Sequence, residues 1–131
     1  MAEAVKLAGP LGSRLTFLTV MVPYASLGDL GHAFATMPET IRRQTIEFLR
    51  ADSREALANA SSAAKIAGRS ADTILVESDH PHEAIIAAAT SMSADLIVMA
   101  SHGKSGAKAL LLGSVTQKVL AHTHLPVLVC R

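Results

Sequence analysis

The stretch DLIVMASHGKSGAKALLLGSVT, residues 95–116, carries a complete strand-to-helix transition. Leu96 to Ala100 form a continuous apolar run, the pattern of a strand buried on both faces. Ser101 to Ala107 is small and polar and contains Gly103 and Gly106; from Ser114 onward the pattern reads as helix. A strand, a glycine-bearing loop and a hydroxyl-bearing helix start aim several N–H donors at one anion. Glycine suits such a loop because a Cβ would block close approach and disfavour positive φ. Ser114 is the expected N-cap, and the Ser114 and Thr116 hydroxyls can add bonds to phosphate oxygens. The pattern is neither the P-loop nor GxGxxG. Two readings stand: a phosphate cradle, above all for a nucleotide, or an ordinary parallel-sheet connection whose glycines and serine serve only the turn.

Outward from this stretch, strands and helices alternate. Residues 2–8 read as the end of a helix stopped or kinked by Gly9-Pro10. Arg14 to Val22 reads as a strand, Pro23 to Met37 as a loop, and Pro38 to about Ala67 as a long helix stopped by Gly68. The apolar stripe of that helix comprises Ile41, Phe48, Leu49, Ala56, Leu57, Ala60, Ala64 and Ile66. Asp72 to Glu77 is the next strand, followed by a helix from Pro81 to about Met92. After the opening stretch come a helix from Ser114 to about His122 and a last strand, Val127 to Cys130. This alternation predicts an α/β fold, a doubly wound parallel sheet with ligands at the carboxyl ends of its strands.

The totals agree. A chain of 131 residues makes one domain, spanning 1–131, with a core built from Ala, Val, Ile and Leu because aromatics are only 3%. A net charge of +1 argues against a dedicated nucleic-acid binder, and Arg42, Arg43, Arg50 and Arg54 read as one solvated helix face. No apolar run is long enough to cross a bilayer. The single Cys130, in an apolar strand pattern, is a packed thiol and fits a cytoplasmic protein. His80-x-His82 and His122-x-His124 lie at a turn and a helix end with no cysteine or carboxylate cluster, so they are expected as solvated surface residues and no metal site is assigned. His102 has neither a nucleophile nor an orienting carboxylate beside it; positioning suits it better than catalysis, and no catalytic residue is assigned.

SADLIVMASHGKSGAKALLLGSVTQKVLAHTHLPVLVCR resembles the carboxyl-terminal third of the universal stress protein family almost residue by residue. TILVESDHPHEAIIAAATSMSADLIVMA is similar to its third strand, third helix and fourth strand, and LGSRLTFLTVMVP to the end of its first helix and its second strand. The resemblance implies a flavodoxin-like, adenine nucleotide α-hydrolase-like fold with strand order 3-2-1-4-5, usually dimeric, acting in stress tolerance. ATP-binding members carry Gly, two residues, Gly, nine residues, then Gly with Ser or Thr. Here the second glycine matches Gly103, Lys104 to Leu112 follow, and Gly113 and Ser114 complete the pattern. Carried over, Gly103, Gly113 and Ser114 meet the phosphates of ATP, accompanied by Mg²⁺, with Val115 and Thr116 adjoining. Met99, Ala100 and His102 line the site, and Val20 lies near the adenine.

The chain departs from the family in two places. Ala100 replaces the first glycine of the pattern, and the family's first strand, ending in an aspartate, has no counterpart, since Met1 falls inside what matches the first helix. A fragment or misassigned start, a strand supplied by a partner chain, or a rearranged sheet would each account for this, the first most simply. The resemblance also implies a homodimer through the carboxyl-terminal strand, Val127 to Val129. The competing reading is a dimeric scaffold of the same fold that holds no nucleotide and works by protein contacts. Enzymatic activity, at most slow ATP hydrolysis, is the third and weakest reading.

Overall fold

A computed structural model of the chain describes residues 2–101 and 112–130. Its elements are α1 (Ala2–Leu11), β1 (Leu15–Met21), α2 (Asp29–Ala35), α3 (Glu39–Ile66), β2 (Ala71–Glu77), α4 (Pro81–Ser91), β3 (Ile97–Ala100), α5 (Ser114–His122) and β4 (Val127–Cys130), with a single 3₁₀ turn at Tyr24–Ser26. The alternation predicted from sequence is therefore present, with boundaries shifted by a residue or two.

Two expectations are corrected. α1 does not stop at Gly9-Pro10 but runs through Pro10 to Leu11. Gly12, at φ 61°, ends it: its N–H donates to the Gly9 carbonyl and the Ser13 N–H to the Ala8 carbonyl, both at 3.2 Å. A proline in the last turn disturbs only one upstream carbonyl, so the left-handed glycine, not the proline, sets the end. The span from Pro23 to Met37 is not a plain loop, because it contains the 3₁₀ turn and α2. The Tyr24 and Phe34 rings stack with centroids 4.5 Å apart. Buried Gly31 lets α2 approach the turn so closely that a Cβ there would lie 2.6 Å from the Tyr24 carbonyl oxygen. That glycine is a packing contact rather than a breaker.

β1 and β2 pair in parallel, with Leu15 opposite Ala71 and Met21 opposite Glu77. β3 and β4 pair in parallel, with Ile97 opposite Val127 and Ala100 opposite Cys130. Among the described residues these remain two separate two-stranded sheets. They correspond to the pairs 3-2 and 4-5 of the order expected, and among the described residues no strand pairs with the second edge of β1 or of β3. α3 packs on β1 and β2, while α4 packs on β1 and on α5. In the carboxyl half, Ala89 of α4, Ile97 of β3 and Val119 of α5 form a buried cluster. The apolar stripe of α3 is buried only in its second half: Leu57, Ala60 and Ala64 are inside, whereas Ile41, Phe48 and Ile66 are exposed, against expectation. The helix runs on beyond the sheet that covers it, so periodicity alone overstated its buried length.

Candidate functional site

The chain leaving β3 and the chain entering α5 are fastened together by short bonds. The Ser101 N–H donates to the Cys130 carbonyl at 2.7 Å, and the Gly113 N–H donates to the Ser101 carbonyl at 2.7 Å. Thr116 Oγ1 donates to the Ala100 carbonyl at 3.0 Å, and Thr116 is buried at 4% exposure. β3, β4 and the first turn of α5 are thus one unit, with the start of α5 held at the carboxyl end of β3.

The cap is Gly113, not Ser114 as the sequence suggested, and it makes no side-chain capping bond. Its φ of −59° and ψ of 148° are open to any residue. Ser114 is the first helical residue, and the first intrahelical bond of the turn runs from the Gln117 N–H to the Gly113 carbonyl at 3.0 Å. Helix geometry leaves the amides of Ser114, Val115 and Thr116 without intrahelical acceptors, and the dipole adds partial positive charge there. Three N–H donors at the mouth of α5 suit an anionic oxygen. Gly113's own amide is committed to Ser101, and the Thr116 hydroxyl to Ala100, so the first turn offers backbone donors rather than that hydroxyl.

Of the other residues singled out, Ala100 ends β3 and is exposed. Met99 and Val115 pack against the Ala89, Ile97 and Val119 cluster. Val20 belongs to the other strand pair, opposite Val76, and no hydrogen bond links it to the start of α5. His102 and Gly103 lie outside the described residues. The structure thus brings Met99, Ala100, Gly113, Ser114, Val115 and Thr116 together and leaves Val20 on the neighbouring half.

The corresponding rim of that half is tied by contacts that sequence reasoning missed. Ser26 Oγ donates to Asp79 Oδ1 at 2.6 Å, and the Ser78 N–H donates to the Met21 carbonyl at 3.0 Å. Ser26 and Asp79 are 53 residues apart, and no local pattern marks them as partners. The histidines are also corrected in part. The His82 ring lies 5.5 Å from that of His122 and 6.4 Å from that of His80, and the His82 side chain is only 14% exposed, because α4 and α5 pack together there. His122 Nδ1 lies 2.8 Å from the Lys118 carbonyl oxygen. Among the described residues, no group of three or more His, Cys, Asp or Glu is arranged to hold a metal ion, and no helix is long and apolar enough to cross a membrane.

Parallel strand pairs flanked by helices, with a helix start presented at the end of a strand, define a doubly wound α/β protein of the flavodoxin-like, adenine nucleotide α-hydrolase-like class. The model of the universal stress protein family matches residues 1–131, and the chain belongs to that family. It is 32% identical over 132 residues to universal stress protein YxiE of Bacillus subtilis, a match covering 98% of this chain and 86% of that one. It is 47% identical over 51 residues to universal stress protein MJ0577 of Methanocaldococcus jannaschii, covering 39% of this chain and 32% of the relative. A 38% match to universal stress protein MJ0531 of the same organism covers 65% of this chain and 49% of the relative. These two matches thus span half or less of each relative's length. The solved structure of MJ0577 superposes with a TM-score of 0.73 at 26% identity, covering 98% of this chain and 85% of that one. The same fold appears in a universal stress protein in complex with cAMP, at TM-score 0.61, 24% identity and coverage of 98% and 82%. It appears again in a universal stress protein of Archaeoglobus fulgidus in complex with dAMP, at TM-score 0.63, 18% identity and coverage of 98% and 82%.

Proposed function

We propose that this chain is an adenine-nucleotide-binding module that holds ATP and acts in the stress response as a cytoplasmic homodimer. The observation that carries the reading is the start of α5: three backbone amides without helical acceptors, clamped to the end of β3, within the Gly103–Gly113–Ser114 spacing of the sequence. Structures of the same fold in complex with cAMP and dAMP support an adenine nucleotide as the ligand. Ser114, Val115 and Thr116 would present their amides to phosphate oxygens, with Gly103 completing the cradle. Ala100, His102 and Met99 would line the approach, and Val20 would meet the base from the neighbouring half. Ala100 is exposed, which leaves room for such a ligand beside it. Bound ATP supplies the charge these donors neutralise. Mg²⁺ would arrive with the phosphates, since the described residues build no metal site of their own.

Dimerisation would run through β4, whose outer edge is unpaired among the described residues and carries Leu128 at 37% exposure. One module, residues 1–131, would carry both properties. Titration calorimetry with ATP and Mg²⁺ tests the reading: saturable one-site heat is expected, and none at high protein concentration overturns it. A second reading, a nucleotide-free scaffold, is favoured by one pair of observations. The Gly113 amide and the Thr116 hydroxyl are already satisfied within the protein. It predicts a dimer in sedimentation that is indifferent to ATP.

A further inference from the structure

β2 pairs with β1 along one edge, and its other edge has no partner among the described residues. Beside that strand, α3 and β2 enclose two adjoining grooves. One, of about 500 Å³, is lined by Arg54, Leu57, Ser61, Lys65, Thr73 and Leu75 among others. The second, of about 370 Å³, shares Ser61 and Lys65 with the first and continues to Arg69 and Ala71. The two form one trough with an apolar floor at Leu57 and Leu75 and three cations along it, Arg54, Lys65 and Arg69. No carboxylate lines either groove.

The acids nearby are accounted for. Glu77, on the same strand, is held by Arg50 at 3.1 Å, a contact that raises the Arg50 guanidinium pKa. Asp72 alternates to the opposite face from Thr73 and Leu75. Asp52 and Glu55 flank Arg54 on α3 but line neither groove. Arg69 is fixed by donating to the Gly9 carbonyl, whereas Arg54 and Lys65 form no ion pair with any described residue.

Spacing selects the ligand. Arg54 and Lys65 are eleven positions apart on one helix, roughly 16 Å along its axis at the α-helical rise. One phosphate or one carboxylate cannot bridge that span. In an extended chain the first and fifth residues face the same way and lie roughly 13 Å apart at roughly 3.3 Å per step, and the long Arg54 and Lys65 side chains lean inward to close the difference. We propose that the free edge of β2 accepts an extended acidic peptide as an added strand. Acidic side chains at its first and fifth positions meet Arg54 and Lys65, and an apolar side chain at the third covers Leu57 and Leu75. Backbone bonds to the strand edge supply affinity, and the alternate acid–apolar–acid pattern supplies selectivity. A second copy of this chain does not fit, because edge-to-edge pairing of β2 with itself would bring the two sets of cations together.

The test uses the full chain and fluorescein-labelled, end-blocked peptides read by anisotropy at low salt. TETVTET is expected to bind saturably, and TKTVTKT not at all. The double variant Arg54→Glu/Lys65→Glu is expected to weaken TETVTET by about tenfold or more, with Arg54→Gln/Lys65→Gln intermediate, since both attractions are reversed in the first and only removed in the second. N-methylation of one alternate set of peptide amides abolishes binding, while methylation of the other set leaves it intact. Unchanged far-UV circular dichroism and unchanged ATP response in the variants separate this result from misfolding and from the nucleotide reading. Failure of TETVTET to bind, indifference to charge reversal, equal response to both methylation registers, or displacement by equimolar inorganic triphosphate would each overturn the proposal.

Discussion

The amino-terminal strand pair has seven-residue strands, a 28-residue helix over it and no fully buried strand residue; the carboxyl-terminal pair has four-residue strands and a buried cluster that includes Ile97 of β3. All seven residues of β1, mostly apolar, are only partly buried, while Ile97 in β3 and Val119 in α5 are inside. Length of strand is therefore not what buries a residue here. Burial follows from what packs on the faces: Ile97 and Val119 close on each other and on Ala89 of α4, and no residue of β1 joins that cluster. In the carboxyl half, helix start, strand end and neighbouring strand are bonded to one another within a few residues, so a short strand suffices.

This contrast can be broken most sharply at Gly113. Its backbone angles accept any residue, so Gly113→Leu should leave the fold intact within about 0.5 kcal/mol, as for surface changes generally. It should nevertheless abolish ATP binding in calorimetry, and retained binding would remove the start of α5 from the site.

Packing gives the next largest difference. Val119→Ala, at a fully buried position, should cost about 2 kcal/mol in urea unfolding. Val20→Ala, on half-buried β1, should cost about 1 kcal/mol or less, because part of the removed surface was already wet. Equal losses would mean that the two halves are packed alike. Thr116→Val removes the bond from a buried hydroxyl to the Ala100 carbonyl while keeping shape, and should cost about 1–2 kcal/mol by the same measurement.

Charge pairs come last. Glu77→Gln should lower Tm slightly at low salt and not at high salt, since the Arg50 pair is exposed and screened. The Glu3–Lys6 pair on α1 is smaller still in effect. The Lys6 hydrogen bond and charge hold the Glu3 carboxyl below its ordinary value of 4.5. Its contribution is therefore present above that pH and lost as pH falls through the lower folded value. Wild type and Glu3→Gln should differ in Tm near pH 7 and converge as the carboxyl becomes protonated in acid, and a difference persisting once it is protonated would assign the effect to something other than this pair.

Local chemistry made the alternation of strand and helix legible. Apolar runs at 96–100 and 127–130, the glycine at 68 and the start of α5 near 114 all correspond to observed elements, because each depends on residues adjacent in the chain. The glycine–serine spacing at 103–114 and the family resemblance were readable for the same reason. Whatever depended on distant partners was not legible. Ser26 meets Asp79, Gly31 is pressed against the Tyr24 turn, His82 is tucked beside His122, and Ile41, Phe48 and Ile66 of the α3 stripe face solvent. Tertiary structure alone decided those, together with the charged trough along β2, because hydrogen-bond partners and burial are fixed by which surfaces meet, and sequence periodicity records only which surfaces are apolar.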